Sequence, residues 1–141
     1  MLLDNSGHIF AEDDVTGGVW YFVAPSQYRG DKSAFYGGSL EYYLRQSAVS
    51  SQFAARDIII ESDENSFLIY TYPDAEYPGV DWTKYEIDLV AGPAWTDEND
   101  IEVTADEMRQ ILSNITKLSI RGEFRAGSDT GRLDQFSYKP E

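Results

Sequence analysis

The feature that most constrains this chain is the recurrence of short segments in which every second residue is apolar. "SLEYYLRQ" (39–46) puts Leu40, Tyr42 and Leu44 on one side and Glu41, Tyr43 and Arg45 on the other. "KYEIDLV" (84–90) does the same with Tyr85, Ile87 and Leu89. A period of two belongs to a strand with one face buried. "VWYFVAP" (19–25) reads as a further strand stopped by Pro25. "RDIIIES" and "SFLIYTY" are apolar runs joined by "SDENS", whose residues suit a hairpin turn. "LSIRGEF" and "RLDQFSY" complete the set across the Gly/Ser/Asp-rich "RAGSDTG". The aromatic residues, ten Tyr, seven Phe and three Trp, favour extended backbone.

One segment has the other period. In "TADEMRQILSNI", Thr104 and Glu107 stand at capping-box spacing, and Met108, Ile111, Leu112 and Ile115 follow on one helical face. Early acids suit the positive end of the helix dipole. This spacing predicts a short amphipathic helix near 105–115, packed on the sheets.

Seven or eight strands and a single helix predict an all-β fold, an antiparallel two-sheet jelly-roll sandwich. Residues 1–141 read as a single domain, without linker, repeat or low-complexity segment. That length buries a core without metal or disulfide staples. The absence of cysteine excludes disulfides, thiolate metal sites and a Cys nucleophile.

With 25 acidic against 11 basic residues the formal charge is −14, which disfavours nucleic acid and anionic membrane surfaces. The acid excess suits solubility first and soluble Ca²⁺ second. The longest wholly apolar run, "VWYFVA", is too short to insert in a bilayer, and "MLLDNSG" lacks the features of a signal peptide.

Separated stretches resemble the laminin IV type A, or laminin B, domain. "VWYFVAPSQYRGDKSAFYGGSLEYYL" is similar to that family in its aromatic strand, Ala-Pro, Gly-Asp turn, Tyr-Gly-Gly and alternating strand. "TADEMRQILSNITKLSIRGEFRAGSDTGRLDQFSY" is similar in its short helix, Ile-Arg-Gly-Glu-aromatic strand, Gly-rich loop and closing Leu-Asp strand. "PGVDWTKYEIDLVAGPAW" looks like the Trp-bearing strand of galactose-binding-like modules. The resemblance implies a non-catalytic, extracellular β-sandwich module, in a form closer to bacterial members. It also implies a further strand before "GHIFAEDD" that this chain starts too late to contain, so that either Met1 opens a piece of a longer chain or the sheet edge is left uncovered and open to self-association. Leu133-Asp134-Gln135-Phe136 departs from the Leu-Asp-Asn-Val type of ending, which weakens any role carried over from that asparagine.

Candidate sites follow. Arg29-Gly30-Asp31 spells an adhesion triplet, but Gly30 and Asp31 fall at the Gly-Asp turn, and the turn is the preferred reading. The acidic "AEDDV" (Glu12, Asp13, Asp14) with Asp134 is the best Ca²⁺ candidate, set against a plain hydrated acidic loop. Trp20 and Trp82 read as core, whereas Trp95, Tyr28 and Tyr77 are left as candidate ligand platforms. Arg45 sits on a strand read as structural. Arg121 either pairs internally with a carboxylate, the favoured reading, or reaches a ligand. His8 is the only histidine, no G-x-S-x-G elbow occurs, and no acid stands in a recognisable glycosidase motif. Asn114-Ile115-Thr116 is a formal glycosylation sequon. The expected function is a binding or spacer module for glycan or extracellular protein. The alternative is a small glycan-acting hydrolase using paired carboxylates.

Overall fold

The computed structural model of the chain describes residues 2–3, 9–13, 19–62, 66–72, 77–125 and 129–141. Ten strands and one helix follow in chain order among them: β1 (Leu2–Leu3), β2 (Ile9–Asp13), β3 (Tyr21–Val23), β4 (Ser39–Gln46), β5 (Ile58–Ser62), β6 (Phe67–Tyr70), β7 (Thr83–Asp88), β8 (Trp95–Thr96), α1 (Ala105–Leu112), β9 (Ile115–Arg121) and β10 (Asp129–Lys139). They form two five-stranded sheets, ordered β1-β2-β10-β4-β7 and β3-β9-β5-β6-β8. All pairings between these strands are antiparallel, as the alternation predicts.

The inward faces are the apolar faces of the sequence pattern. Leu40, Tyr42, Leu44, Tyr85 and Ile87 come from the first sheet, and Phe22, Ile58, Ile60, Leu68, Leu118 and Ile120 from the second, all buried. Tyrosine dominates the contact: Tyr72 stacks on Tyr85 at 4.4 Å, Tyr85 on Tyr42 at 5.5 Å, and Tyr42 on Phe136 at 6.1 Å. The two buried phenols meet, Tyr42 Oη to Tyr72 Oη at 2.5 Å, so each satisfies the other inside the core. Burial pushes both hydroxyls well above the usual tyrosine range, keeping them neutral hydrogen-bonding groups.

Helix α1 seals the interior. Thr104 Oγ1 accepts from the Glu107 amide at 3.1 Å, and Glu107 Oε1 accepts from the Thr104 amide at 2.9 Å, closing the expected capping box. Met108, Ile111 and Leu112 are its buried face. The helix stops at Leu112, and Ile115, read from the sequence as its last apolar position, instead opens β9 with its side chain buried. Three further features depart from the sequence reading. A strand does precede "GHIFAEDD": β1, of two residues, pairs with β2 and forms that edge of the first sheet. "AEDDV" is not wholly a loop, because Glu12 and Asp13 belong to β2. "GPAWTD" contains the short strand β8, which alternation over so few residues could not reveal.

Close packing at one end rests on glycine. Trp20 lies over Gly122 and Gly131: a β-carbon at Gly122 would overlap the indole ring, and one at Gly131 would lie 2.6 Å from the Gly122 carbonyl. Trp20 also meets Phe22 edge-on at 4.9 Å and is partly buried, packed against the core rather than within it. Gly122→Ala should therefore lower unfolding stability by about 1–3 kcal/mol through overpacking. Denaturant titration checks this; an unchanged midpoint would mean that Trp20 is not held against this backbone.

Candidate functional site

The residues singled out in the sequence divide sharply once their places are known. Arg121 projects from the end of β9 with no exposed surface. Its Nη1 lies 3.2 Å from Asp57 Oδ1, its Nε donates to the Glu123 carbonyl at 2.6 Å, and its Nη2 donates to the Phe53 carbonyl at 2.5 Å. The Phe124 and Phe53 rings flank the guanidinium at 4.2 and 5.0 Å, with Tyr77 at 5.7 Å. Every donor direction is turned inward, so Arg121 is the internal pair and does not face a ligand. Tyr77 belongs to the same packing, half-buried against Phe124 at 6.1 Å.

Trp95 and Trp82 exchange their expected roles. Trp95 is 1% exposed, and its Nε1 donates to the Asp88 carbonyl at 2.8 Å, so it is core. Trp82, read as core, is 36% exposed and stands immediately before β7. Tyr28 is half-buried: its ring meets Phe136 edge-on at 5.0 Å, and its carbonyl accepts from Tyr138 Oη at 2.6 Å. It lines a mainly apolar cleft of about 410 Å³ with Phe22, Ile120, Asp134, Gln135 and Phe136.

The Arg-Gly-Asp triplet is a fixed turn. Arg29 Nη1 donates to the Thr116 carbonyl at 3.2 Å. Gly30, at φ +86°, exchanges two backbone hydrogen bonds with Ile115 at 2.8 and 2.9 Å. Asp31 Oδ1 accepts from both the Ser33 hydroxyl (2.6 Å) and amide (3.0 Å), which holds its carboxyl below the ordinary range.

Two of the proposed Ca²⁺ ligands, Asp13 and Asp134, lie far apart. Asp13 is in register opposite Asp129, and Asp134 lies five residues farther along β10. At strand rise this separates them by about 17 Å, too far for one ion. Asp14 and His8 lie outside the described residues. Among the described residues no group of three or more His, Asp or Glu could hold a metal.

The outward face of the first sheet is the surface these placements leave. Alternation turns Glu41, Tyr43 and Arg45 of β4 away from the core, and register fixes their neighbours. Arg45 stands opposite Arg132, Tyr43 opposite Asp134 and Lys84, and Glu41 opposite Ser137 and Glu86. The Arg45 guanidinium lies over the Trp82 ring at 5.5 Å, and Lys84 Nζ is 3.5 Å from Glu41 Oε1. Helix α1 packs on β5 and β6 of the other sheet, so it does not cover this face. Among the described residues the result is a partly exposed strip with an aromatic platform at one end and hydrogen-bonding groups of both charges along it.

The laminin B (domain IV) family profile matches residues 21–139. The chain belongs to the laminin B family. This laminin B domain is similar in fold to the L4b domain of human laminin alpha-2, with a TM-score of 0.73 and 21% identity over 88% of this chain and 71% of that one. It is also similar to the family 11 carbohydrate-binding module of a cellulosomal cellulase of Clostridium thermocellum, with a TM-score of 0.55 and 15% identity over 96% of this chain and 84% of that one. Both matches support the two-sheet sandwich read from the alternation.

In this laminin B domain the open face was partly legible. Alternation already turned Tyr43 and Arg45 outward, but Lys84 and Arg132 join them only through register, which no local pattern carries, and Trp82 through its contact with Arg45.

Asp57, like Tyr42 and Tyr72, is perturbed by its place in the buried network. Burial raises its carboxyl to about 6, outweighing the Tyr72 amide that donates to Oδ2 at 2.7 Å and the neighbouring Arg121 charge. The folded state thus holds this proton more tightly than the unfolded chain. The contribution of Asp57 to stability is present in full below its ordinary value of 3.8 and is lost as pH rises through about 6. A ¹³C NMR titration of the Asp57 carboxyl should give a midpoint near 6. A midpoint at or below 3.8 would show that the guanidinium outweighs burial.

Proposed function

We propose that this laminin B domain is a non-catalytic extracellular binding module that takes a glycan on the outward face of its first sheet. The observation that carries the reading is Trp82, exposed beside Arg45 on a face whose other members are Tyr43, Lys84, Asp134 and Glu41. A pyranose ring presents an apolar C–H face that stacks on an indole, while its hydroxyls seek donors and acceptors at the ring edge. Arg45 and Lys84 supply donors, and Asp134 and Glu41 supply acceptors. A strand face is flat and its side chains are held by cross-strand neighbours, so little order has to be gained on binding. The fold shared with a carbohydrate-binding module and the family membership support this reading.

One arrangement favours the hydrolase alternative enough to be tested beside it. Glu41 and Glu86 are direct cross-strand neighbours, and two close carboxylates are what a retaining glycosidase needs. Lys84, however, already engages Glu41 in an ion pair at 3.5 Å.

The test is titration calorimetry over a panel of soluble polysaccharides, with reducing-end release assayed on the same panel. Wild type should bind without releasing ends, and Trp82→Ala should weaken binding by about tenfold or more, the cost of losing an aromatic anchor. Release of ends that disappears in Glu41→Gln or Glu86→Gln would replace the binding reading with the hydrolase. Absence of binding across the panel would leave a spacer role instead.

A further inference from the structure

Strand β7 (Thr83–Asp88) is the outermost strand of the first sheet, and among the described residues only β4 pairs with it. The Leu89 amide donates to the Gly38 carbonyl at 2.8 Å, so in the alternating antiparallel ladder the odd-numbered residues of β7 bond to β4. Lys84 and Glu86 therefore aim their amides and carbonyls at the other edge. The Asp88 carbonyl on that edge accepts from Trp95 Nε1 at 2.8 Å, which closes the stretch at its far end. A sheet edge of this kind is a template for another strand. Exposed apolar side chains gather at the same place: of the six large ones exposed among the described residues, Val80, Trp82 and Val90 flank β7. Charge points the same way. Glu86 is exposed, faces the like charge of Glu41 across the ladder and makes no ion pair among the described residues, whereas Lys84 reaches Glu41 at 3.5 Å.

We infer that this edge takes a second copy of the chain, the two β7 strands running antiparallel about a two-fold axis through Tyr85. The inference goes beyond the glycan reading and does not rest on it. A two-fold contact is self-complementary, so each pairing across it occurs twice. Both strands bond through their even-numbered residues, which puts the axis on a residue and not between two. Centred on Lys84 it would oppose the two Lys84 charges, and centred on Glu86 the two Glu86 charges, both destabilising. Centred on Tyr85, Lys84 of each copy stands opposite Glu86 of the other, and Val80 falls opposite Val90. Each Lys84–Glu86 pair exchanges both of its backbone hydrogen bonds, without calling on the occupied Asp88 carbonyl. A second copy is favoured over an unrelated strand because β7 itself carries both members of each ion pair at the spacing the axis requires. The outcome is one continuous sheet with both outward faces on the same side. The net charge of −14 on each copy does not prevent this, because charges more than about 8 Å apart are screened at physiological ionic strength.

Sedimentation velocity over a concentration series up to about 1 mM, at physiological ionic strength, reads the state directly. The wild type should pass from monomer to dimer within the series. Lys84→Glu and Glu86→Lys, checked for folding by near-ultraviolet circular dichroism, each oppose like charges at both pairs and should weaken the dimer by about tenfold or more. An equimolar mixture of the two variants restores both attractive pairs. It should form a mixed dimer near the wild-type midpoint, a recovery that a folding defect in either variant could not produce. A wild type that stays monomeric throughout would overturn the inference and leave Lys84 as a charge that keeps other strands off the edge. A dimer that neither variant weakens would overturn it by placing self-association elsewhere, such as at β3, the edge of the second sheet. Weakened variants that fail to recover on mixing would also overturn it.

Discussion

Arg121 and Asp57 form an ion pair with almost no solvent contact, and the sandwich is organised around what they hold. Two charges cannot be taken out of water unless each is met by a partner and by further hydrogen bonds. Here the guanidinium also binds the Phe53 and Glu123 carbonyls, and the carboxylate also receives the Tyr72 amide. The four segments so joined are the crossover between β4 and β5, the exit of β6, the end of β9 and the chain that follows it. Tyr72 then carries the connection to the opposite sheet, through its hydroxyl to Tyr42 and its ring to Tyr85. Removing either charge alone would strand the other in a low-dielectric setting, at a cost of about 3–5 kcal/mol.

This arrangement decides which surfaces remain for function. The second sheet has Arg121 covered by aromatic rings at one end and α1 packed on β5 and β6. The first sheet has its inward face committed to the tyrosine stack, and its outward face carries polar and aromatic side chains that the core does not use. The cleft beside Tyr28 is a concavity bounded by the β10 irregularity where Gln135 takes φ +54°. Its lining is mainly apolar side chains already packed on the core, and it offers fewer outward-directed polar groups than the open face.

Much of the fold was legible because its signals are local. The alternation in 39–46 and 84–90 placed Leu40, Tyr42, Tyr85 and Ile87 inside, and the Thr104/Glu107 pair marked the helix start. The exchange of Trp82 and Trp95 shows where local signals stop. Both tryptophans flank the same strand, and which one is covered depends on β6 pairing with β8, a contact between Tyr70 and Trp95 set by the tertiary fold. The separation of Asp13 from Asp134 has the same cause, since the β2–β10 register is unknowable from composition. Arg121 was correctly favoured as an internal pair, but its partner Asp57 is 64 residues away in sequence and drew no attention there.

The account turns on the open strand face as the place of contact. Backbone and indole amide shifts followed by NMR during titration with a polysaccharide that binds measure this directly. Shifts should concentrate at Tyr43, Arg45, Trp82, Lys84 and Arg132, leaving Tyr72 and Arg121 unmoved. Shifts centred instead on Tyr28, Gln135 and Phe136 would put the ligand in the cleft and contradict the account.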